Sequence, residues 1–145
     1  MRIAKEFRWE MGHRLPLHDG ACRNLHGHSY RLVVEIEGEP DPATGMVVDF
    51  QDVSAAVKPF VAELDHGFLV QDSDADLLAY LRRNDLKHTV IPFPSTVENL
   101  CRLFATRLGP FFAQHAAARA LRITIFETPT SSATLEINRP PPPST

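Results

Sequence analysis

Bulky and charged side chains alternate at the start of the chain. The bulky positions are Phe7, Trp9, Met11 and His13, and the residues between them are mostly charged. Successive side chains of a strand point to opposite faces of its sheet. The pattern therefore predicts a half-buried strand that ends near His13.

A second alternating segment begins at about residue 25. Its more apolar parity carries His26, His28, Tyr30, Leu32, Val34 and Ile36. The other parity is polar or charged, which predicts a second half-buried strand. After the loop "EGEPDPATG", the segment "MVVDF" is predicted to return as the second strand of a hairpin.

Apolar spacings of three and four predict two helices. The first follows Asp49, which has the character of an N-cap, and ends near Gly67. The second begins at "STVENL", where Ser95 and Glu98 have the spacing of a capping box. In the least regular region, "ADLLAYLRR" is compatible with a short helix and "HTVIPF" with an extended piece.

The C-terminal segment "ALRITIFETPTSSATLEI" predicts two strands joined by a turn. Short links between strands favour antiparallel pairing. We therefore predict an α+β fold with an antiparallel sheet and two helices on one face. Residues 1–138 are expected to form a single domain, followed by a Pro-rich tail at 139–145.

Composition narrows the class of protein. The chain has 145 residues, of which 43% are hydrophobic, and a net charge of -3, so no basic surface for nucleic acid is expected. No apolar run approaches the roughly 18 residues of a membrane span. The first ten residues lack the apolar core of a signal peptide, so a cytoplasmic protein is expected.

Histidine is concentrated near the end of the first strand and the start of the second. His26 and His28 are two positions apart, so their side chains leave the same face of a strand. If the two strands pair, His13 can face them. Three imidazoles suit Zn²⁺ and leave the fourth position open, as in catalytic sites, although histidines on a strand face can also be merely polar.

Cys22 has two possible roles beside this cluster. It can be a fourth ligand that closes a structural site, or it can lie next to the ion and act as a base or nucleophile. It lies four positions before His26, across a loop rather than along the strand face. This placement slightly favours the second role. The other cysteine, Cys101, lies among apolar residues and is expected in the core.

Two further sites carry carboxylates. Asp65 and His66 can form a pair in which the carboxylate orients the imidazole, or they can simply end a helix. Glu127 lies on the apolar parity of its strand, where a ligand donating two N–H groups, such as a pterin or guanine edge, would satisfy it. A solvated strand end is the alternative.

These residues resemble one known family, the 6-pyruvoyl tetrahydropterin synthase-like enzymes. The matching pieces, in order, are "HRLP" with His13, "CRNLHGHS" at 22–29, "GMVVDF" at 45–50, "LDH" at 64–66, "STVENL" at 95–100 and "FET" at 126–128. Only 69–92 and the tail lie outside the resemblance. Three residues separate Cys22 from "HGH", a spacing similar to the bacterial branch, the 6-carboxytetrahydropterin synthases of queuosine biosynthesis.

The resemblance implies a T-fold whose sheets join as a barrel in a trimer, with two trimers stacked as a hexamer and active sites between subunits. It implies Zn²⁺ on His13, His26 and His28. It also assigns proton transfer to Cys22 with the Asp65–His66 dyad, and pterin binding to Glu127 with Thr96 nearby.

The implied substrate is 7,8-dihydroneopterin triphosphate, which would yield 6-carboxytetrahydropterin, acetaldehyde and triphosphate. Arg14 and Arg23 are candidate partners for the phosphates. Two rival functions stay open. One is 6-pyruvoyl tetrahydropterin synthase, which leaves the side chain uncleaved, and the other is a non-catalytic zinc domain that assembles as an oligomer.

Overall fold

The computed structural model of the chain describes residues 1–139. Its elements are β1 (Arg2–His13), β2 (His26–Gly38), α1 (Phe50–Leu64), β3 (Gly67–Gln71), α2 (Ala75–Arg83), β4 (His88–Ile91), α3 (Val97–Gln114), β5 (Ala118–Thr128) and β6 (Ser131–Asn138). A short 3-10 turn, Ala21–Arg23, lies between the first two strands. The strands form one sheet in the order β4-β3-β1-β2-β5-β6.

The two central strands confirm the alternation in the sequence. β1 and β2 pair antiparallel, with His13 opposite His26 and Met11 opposite His28. The bulky parity of each strand is buried in the main core, while the charged parity faces away from it. This register brings the three histidines onto one face of the sheet.

The predicted hairpin strand "MVVDF" is wrong. Residues 46–49 form no strand, and Val47 and Val48 are buried in the main core as part of an irregular turn. The reason lies in β2, whose two edges are already paired with β1 and with β5. Between Arg31 and Glu37, the part of β2 that a returning strand would meet first, no free edge is left.

The sheet is mixed rather than purely antiparallel. β3 pairs parallel with β1 and with β4, because long helical connections precede these strands and permit parallel pairing. The predicted α+β class is confirmed, and the short helix and extended piece between residues 69 and 92 are α2 and β4.

The helices do not all pack on one face. α1 and α3 cover the main core, to which Leu69 of β3 belongs. The next residue, Val70, packs instead in a second cluster with Leu77, Leu78 and Leu81 of α2. Adjacent strand residues point to opposite faces, so α2 is a third helix on the face opposite α1 and α3.

Helix ends differ from the prediction at two of three positions. Asp49 caps α1, as predicted, by accepting from the Gln51 N–H. The N-cap of α3 is Thr96, one residue after the predicted Ser95. At the end of α1 the left-handed residue is His66, with φ of 55°, and Gly67 already belongs to β3.

The last described residue is still attached to the domain. Arg139 donates side-chain hydrogen bonds to the carbonyls of Phe112, Ala113 and His115 at the end of α3. The rest of the expected Pro-rich tail, 140–145, lies outside the described residues. Among residues 1–139, no helix combines the length and apolarity that a membrane crossing requires.

Candidate functional site

Three imidazoles meet where β1 ends and β2 begins. The ring centroids of His13, His26 and His28 are 4.6 to 5.2 Å apart. One nitrogen of each ring lies within 4.8 Å of the corresponding nitrogen of the others. This is the only group of at least three such ligand atoms among residues 1–139.

Backbone carbonyls orient two of these rings. Nδ1 of His13 lies 2.8 Å from the carbonyl oxygen of Ser95, and Nδ1 of His26 lies 2.7 Å from that of Asn24. A carbonyl only accepts, so in the neutral rings Nδ1 carries the hydrogen and Nε2 keeps its lone pair. Such outer partners commonly fix the tautomer of metal-binding histidines.

The Nε2 nitrogen of His13 has no hydrogen-bond partner among residues 1–139. His13 is 1% exposed, and its Nε2 is a buried atom without a hydrogen bond. Burial lowers the pKa of His13 and of His28, which favours the neutral form that binds metals. A buried, unpaired lone pair beside two further imidazoles fits a divalent ion such as Zn²⁺.

Glu127 lies next to this cluster. Its Oε1 is 3.6 Å from Nε2 of His13 and 3.7 Å from Nε2 of His28. The Tyr30 hydroxyl donates to the same oxygen at 3.4 Å. Burial, together with the nearby carboxylate, raises the pKa of Tyr30, so its hydroxyl remains a donor. Glu127 also borders an open cavity of about 510 Å³.

Cys22 and Thr96 lie apart from the three ligand atoms. Cys22 is half-buried in the Ala21–Arg23 turn and does not belong to the histidine group. Thr96 caps α3 and borders a different cavity, of about 190 Å³, from the one that Glu127 lines. Thr96 and Glu127 therefore border two different cavities of the single chain.

Asp65 and His66 do form a pair. His66 Nδ1 lies 3.0 Å from Asp65 Oδ2, and the other carboxylate oxygen accepts from the Glu10 N–H at 2.9 Å. These hydrogen bonds, that of Glu10 first, lower the pKa of Asp65. His66 borders a cavity of about 350 Å³ that is lined by Glu10 and Ser29, which belong to the charged parity of β1 and β2, and also by His28 of the cluster. His13 is not among the residues that line this cavity.

Three contributors to this site were not found from the sequence. The sequence predicts Tyr30 only as a core-facing residue and Ser95 only as a helix cap. Gly12 lies opposite Gly27 in the register, next to the pair of His13 and His26. A Cβ on Gly12 would lie 2.6 Å from the Phe68 ring. Each role depends on a partner more than 50 positions away. The only local signal was the glycine next to a histidine in "MGH" and in "HGH".

Comparison with known proteins identifies relatives along nearly the whole chain. The sequence model of the 6-pyruvoyl tetrahydropterin synthase family matches residues 2–138. A 6-carboxy-5,6,7,8-tetrahydropterin synthase of Haemophilus influenzae is 35% identical over 138 residues, which cover 90% of this chain and 94% of that protein. The protein of the same name from Synechocystis is 35% identical over 124 residues, covering 74% of this chain and 96% of its own.

The fold has a counterpart among solved structures. The 6-pyruvoyl tetrahydropterin synthase of Plasmodium falciparum superposes with a TM-score of 0.74 and covers 96% of this chain and 98% of its own. The sequence identity is 16%, so this likeness establishes the fold alone.

Proposed function

Because the chain belongs to the 6-pyruvoyl tetrahydropterin synthase family, we propose that it is a zinc-dependent 6-carboxytetrahydropterin synthase. The reaction converts 7,8-dihydroneopterin triphosphate and water to 6-carboxy-5,6,7,8-tetrahydropterin, acetaldehyde and triphosphate, within queuosine biosynthesis. The observation that carries the proposal is the 35% identity to the Haemophilus influenzae enzyme of that name.

His13, His26 and His28 would hold the zinc ion. The buried, unpaired Nε2 of His13 supports this assignment, as do the carbonyls that direct Nδ1 of His13 and His26 away from the ligand position. When bound, zinc supplies Lewis-acid polarisation of hydroxyl groups on the substrate side chain. Two free cysteines, Cys22 and Cys101, agree with a cytoplasmic compartment.

Cys22 is the proposed proton carrier. As a thiolate beside the ion, it would move protons between the side chain of the substrate and the pterin ring. A thiolate bound to the ion would be a poorer base and would occupy the open position. Cys22 is not in the ligand group of residues 1–139, which supports a thiol that does not bind the ion.

Asp65 and His66 would complete the proton-transfer set from a neighbouring subunit. In one chain His66 borders the cavity that Glu10, Ser29 and His28 also line, whereas the ring of His13 is buried in the core. The resemblance implies active sites between subunits, so a second copy would supply the dyad to the side of the cluster where His13 is buried. We therefore propose that active sites lie between subunits of a barrel-shaped trimer and that two trimers form a homohexamer.

Glu127 would bind the pterin edge, with Thr96 close to the bound ring in the assembled site. The carboxylate can accept two N–H groups from the heterocycle. Its Oε1 lies 3.6 Å from His13, so a ring bound there has its side chain next to the proposed zinc ligands.

Replacing Glu127 with glutamine should weaken substrate binding. The amide offers one acceptor instead of a charged pair, and hydrogen bonds to charged groups contribute about 1.5–3 kcal/mol. We expect KM to rise about 10- to 100-fold, in line with that energy. Steady-state kinetics on 7,8-dihydroneopterin triphosphate measure this, with Glu136→Gln on the exposed edge strand as the control. An unchanged KM together with lost zinc would instead make Glu127 a metal ligand.

Product analysis tests the reaction itself. Purified protein of known zinc content is incubated with 7,8-dihydroneopterin triphosphate, and acetaldehyde and pterins are quantified. Acetaldehyde and a 6-carboxypterin in equal amounts are the expected result. A 6-pyruvoyl product without acetaldehyde would instead assign the reaction of a 6-pyruvoyl tetrahydropterin synthase. Bound zinc without turnover would favour a non-catalytic zinc domain.

A further inference from the structure

A two-pronged ion pair joins the loop after β1 to the start of α2. Nε of Arg14 donates to Oδ2 of Asp74 at 2.6 Å, and Nη2 donates to Oδ1 at 2.5 Å. The Asp74 side chain is only 4% exposed. The hydrogen bonds from Arg14 lower the pKa of Asp74, so the carboxylate is charged at neutral pH. Bidentate pairs of this kind restrict both position and orientation.

On one side the pair is attached to α2. Asp74 is the N-cap of this helix, and its Oδ1 also accepts from the Leu77 N–H at 3.3 Å. Leu77 packs with Leu81 against Val70 of β3 in the second apolar cluster. The carboxylate therefore belongs to a packed β3-α2-β4 unit and cannot shift without disturbing it.

On the other side the pair is attached to the loop that carries Cys22. Arg14 directly follows His13, and its carbonyl accepts from the Ser95 hydroxyl at 3.3 Å. The next residue, Leu15, donates its N–H to the carbonyl of Cys22 at 2.8 Å. The position of Arg14 thus sets where the loop starts and where the Cys22 backbone is held.

We propose that Arg14 and Asp74 are positioning residues that hold the Cys22 loop against the β3-α2-β4 unit. The segment 69–92, which contributes no group to the proposed chemistry, then acts as the support for the thiol. The inference rests on the proposed function only in taking Cys22 as the proton carrier.

The charges around the pair argue against a simpler role for Arg14 in phosphate binding. Arg14 and Arg23 border a cavity of about 600 Å³, which Asp74 and Asp76 also line. An anion in this cavity would face two carboxylates, and two N–H groups of Arg14 are already engaged by Asp74. The arrangement is suited to fixing the loop rather than to binding a triphosphate.

The variant Asp74→Asn tests the proposal, and Asp76→Asn is its matched control. Both variants remove one negative charge from the same cavity at the N-terminal end of α2, but only Asp74 pairs with Arg14. The first measurement is the rate at which iodoacetamide alkylates Cys22. Cys101 is 1% exposed and burial raises its pKa to about 11, so labelling reports on Cys22.

We expect Cys22 to be alkylated several-fold faster in Asp74→Asn than in the wild type, because the loop is released. In Asp76→Asn the alkylation rate should equal that of the wild type. The kcat of Asp74→Asn should fall at least about tenfold with little change in KM, since moving a catalytic group by about 1 Å can reduce the rate on the order of 100-fold. Arg14→Lys keeps the positive charge but loses the two-pronged hydrogen bonding, so its alkylation rate and kcat should lie between those of the wild type and Asp74→Asn.

A merely structural pair would give a different result. Asp74→Asn would then unfold at a lower temperature but would share its alkylation rate and kcat with Asp76→Asn, which overturns the proposal. If Asp74→Asn does not fold, the same two readouts on Arg14→Lys decide. Alkylation is measurable without turnover, so a protein inactive on the pterin would overturn the proposed function and leave the positioning test intact.

Discussion

Replacing Cys22 with alanine is expected to reduce turnover of 7,8-dihydroneopterin triphosphate by about 10²- to 10⁴-fold, the range of general acid–base catalysis. Zinc content should stay at the wild-type level. The reason is geometric: Cys22 lies in the Ala21–Arg23 turn and outside the group of three histidine nitrogens. Its removal would eliminate the proton carrier without opening the metal site.

The matched control is the second cysteine. Cys101 is buried in α3, where its Sγ lies 3.3 Å from the carbonyl oxygen of Ala133. Cys101→Ala should keep its turnover, so a loss confined to Cys22→Ala is specific. Loss of zinc from Cys22→Ala would mean that the thiol is a fourth ligand, which is typical of a closed structural site.

Replacing His13 with alanine is expected to weaken zinc binding more than about 100-fold, since loss of an outer-shell partner alone costs 10- to 100-fold. Turnover should fall with the metal. His13 contributes the only buried imidazole of the three, and its Nε2 has no hydrogen-bond partner in the described part of the chain. Competition with a chromophoric chelator measures the affinity, and circular dichroism checks that the variant folds.

His18→Ala is the control for this variant. His18 lies in the same loop region, and its Nδ1 accepts from the Gly20 N–H at 2.8 Å, outside the cluster. We expect it to bind zinc as the wild type does. Equal zinc affinity in His13→Ala and the wild type would place the ion elsewhere.

Strand periodicity explains what was predicted well. The shared parity of His26, His28 and Tyr30 follows from the two-residue repeat of a strand, and the structure confirms it. The same repeat placed Glu127 at the end of the apolar parity of β5, after Leu121, Ile123 and Ile125. Local backbone geometry is sufficient for such statements.

Pairing between distant segments explains the errors. "MVVDF" has the composition of a strand, but both edges of β2 are already used. Ser95 has the spacing of a capping box, but its carbonyl bonds to His13 and Thr96 caps the helix instead. In both cases tertiary contacts decided against a local preference.

The sequence by itself determined which residues share a face of each strand and which chemical groups gather near residues 13–28. It also carried the family, through pieces matched from residue 2 to residue 138. The tertiary structure alone decided that Glu127 lies beside His13 and that α2 packs on the opposite face of the sheet. It alone paired Asp74 with Arg14. The physical reason is range: a repeat along the chain records neighbours, whereas Glu127 and His13 are 114 positions apart and Asp74 and Arg14 are 60 positions apart, and no local pattern records such contacts.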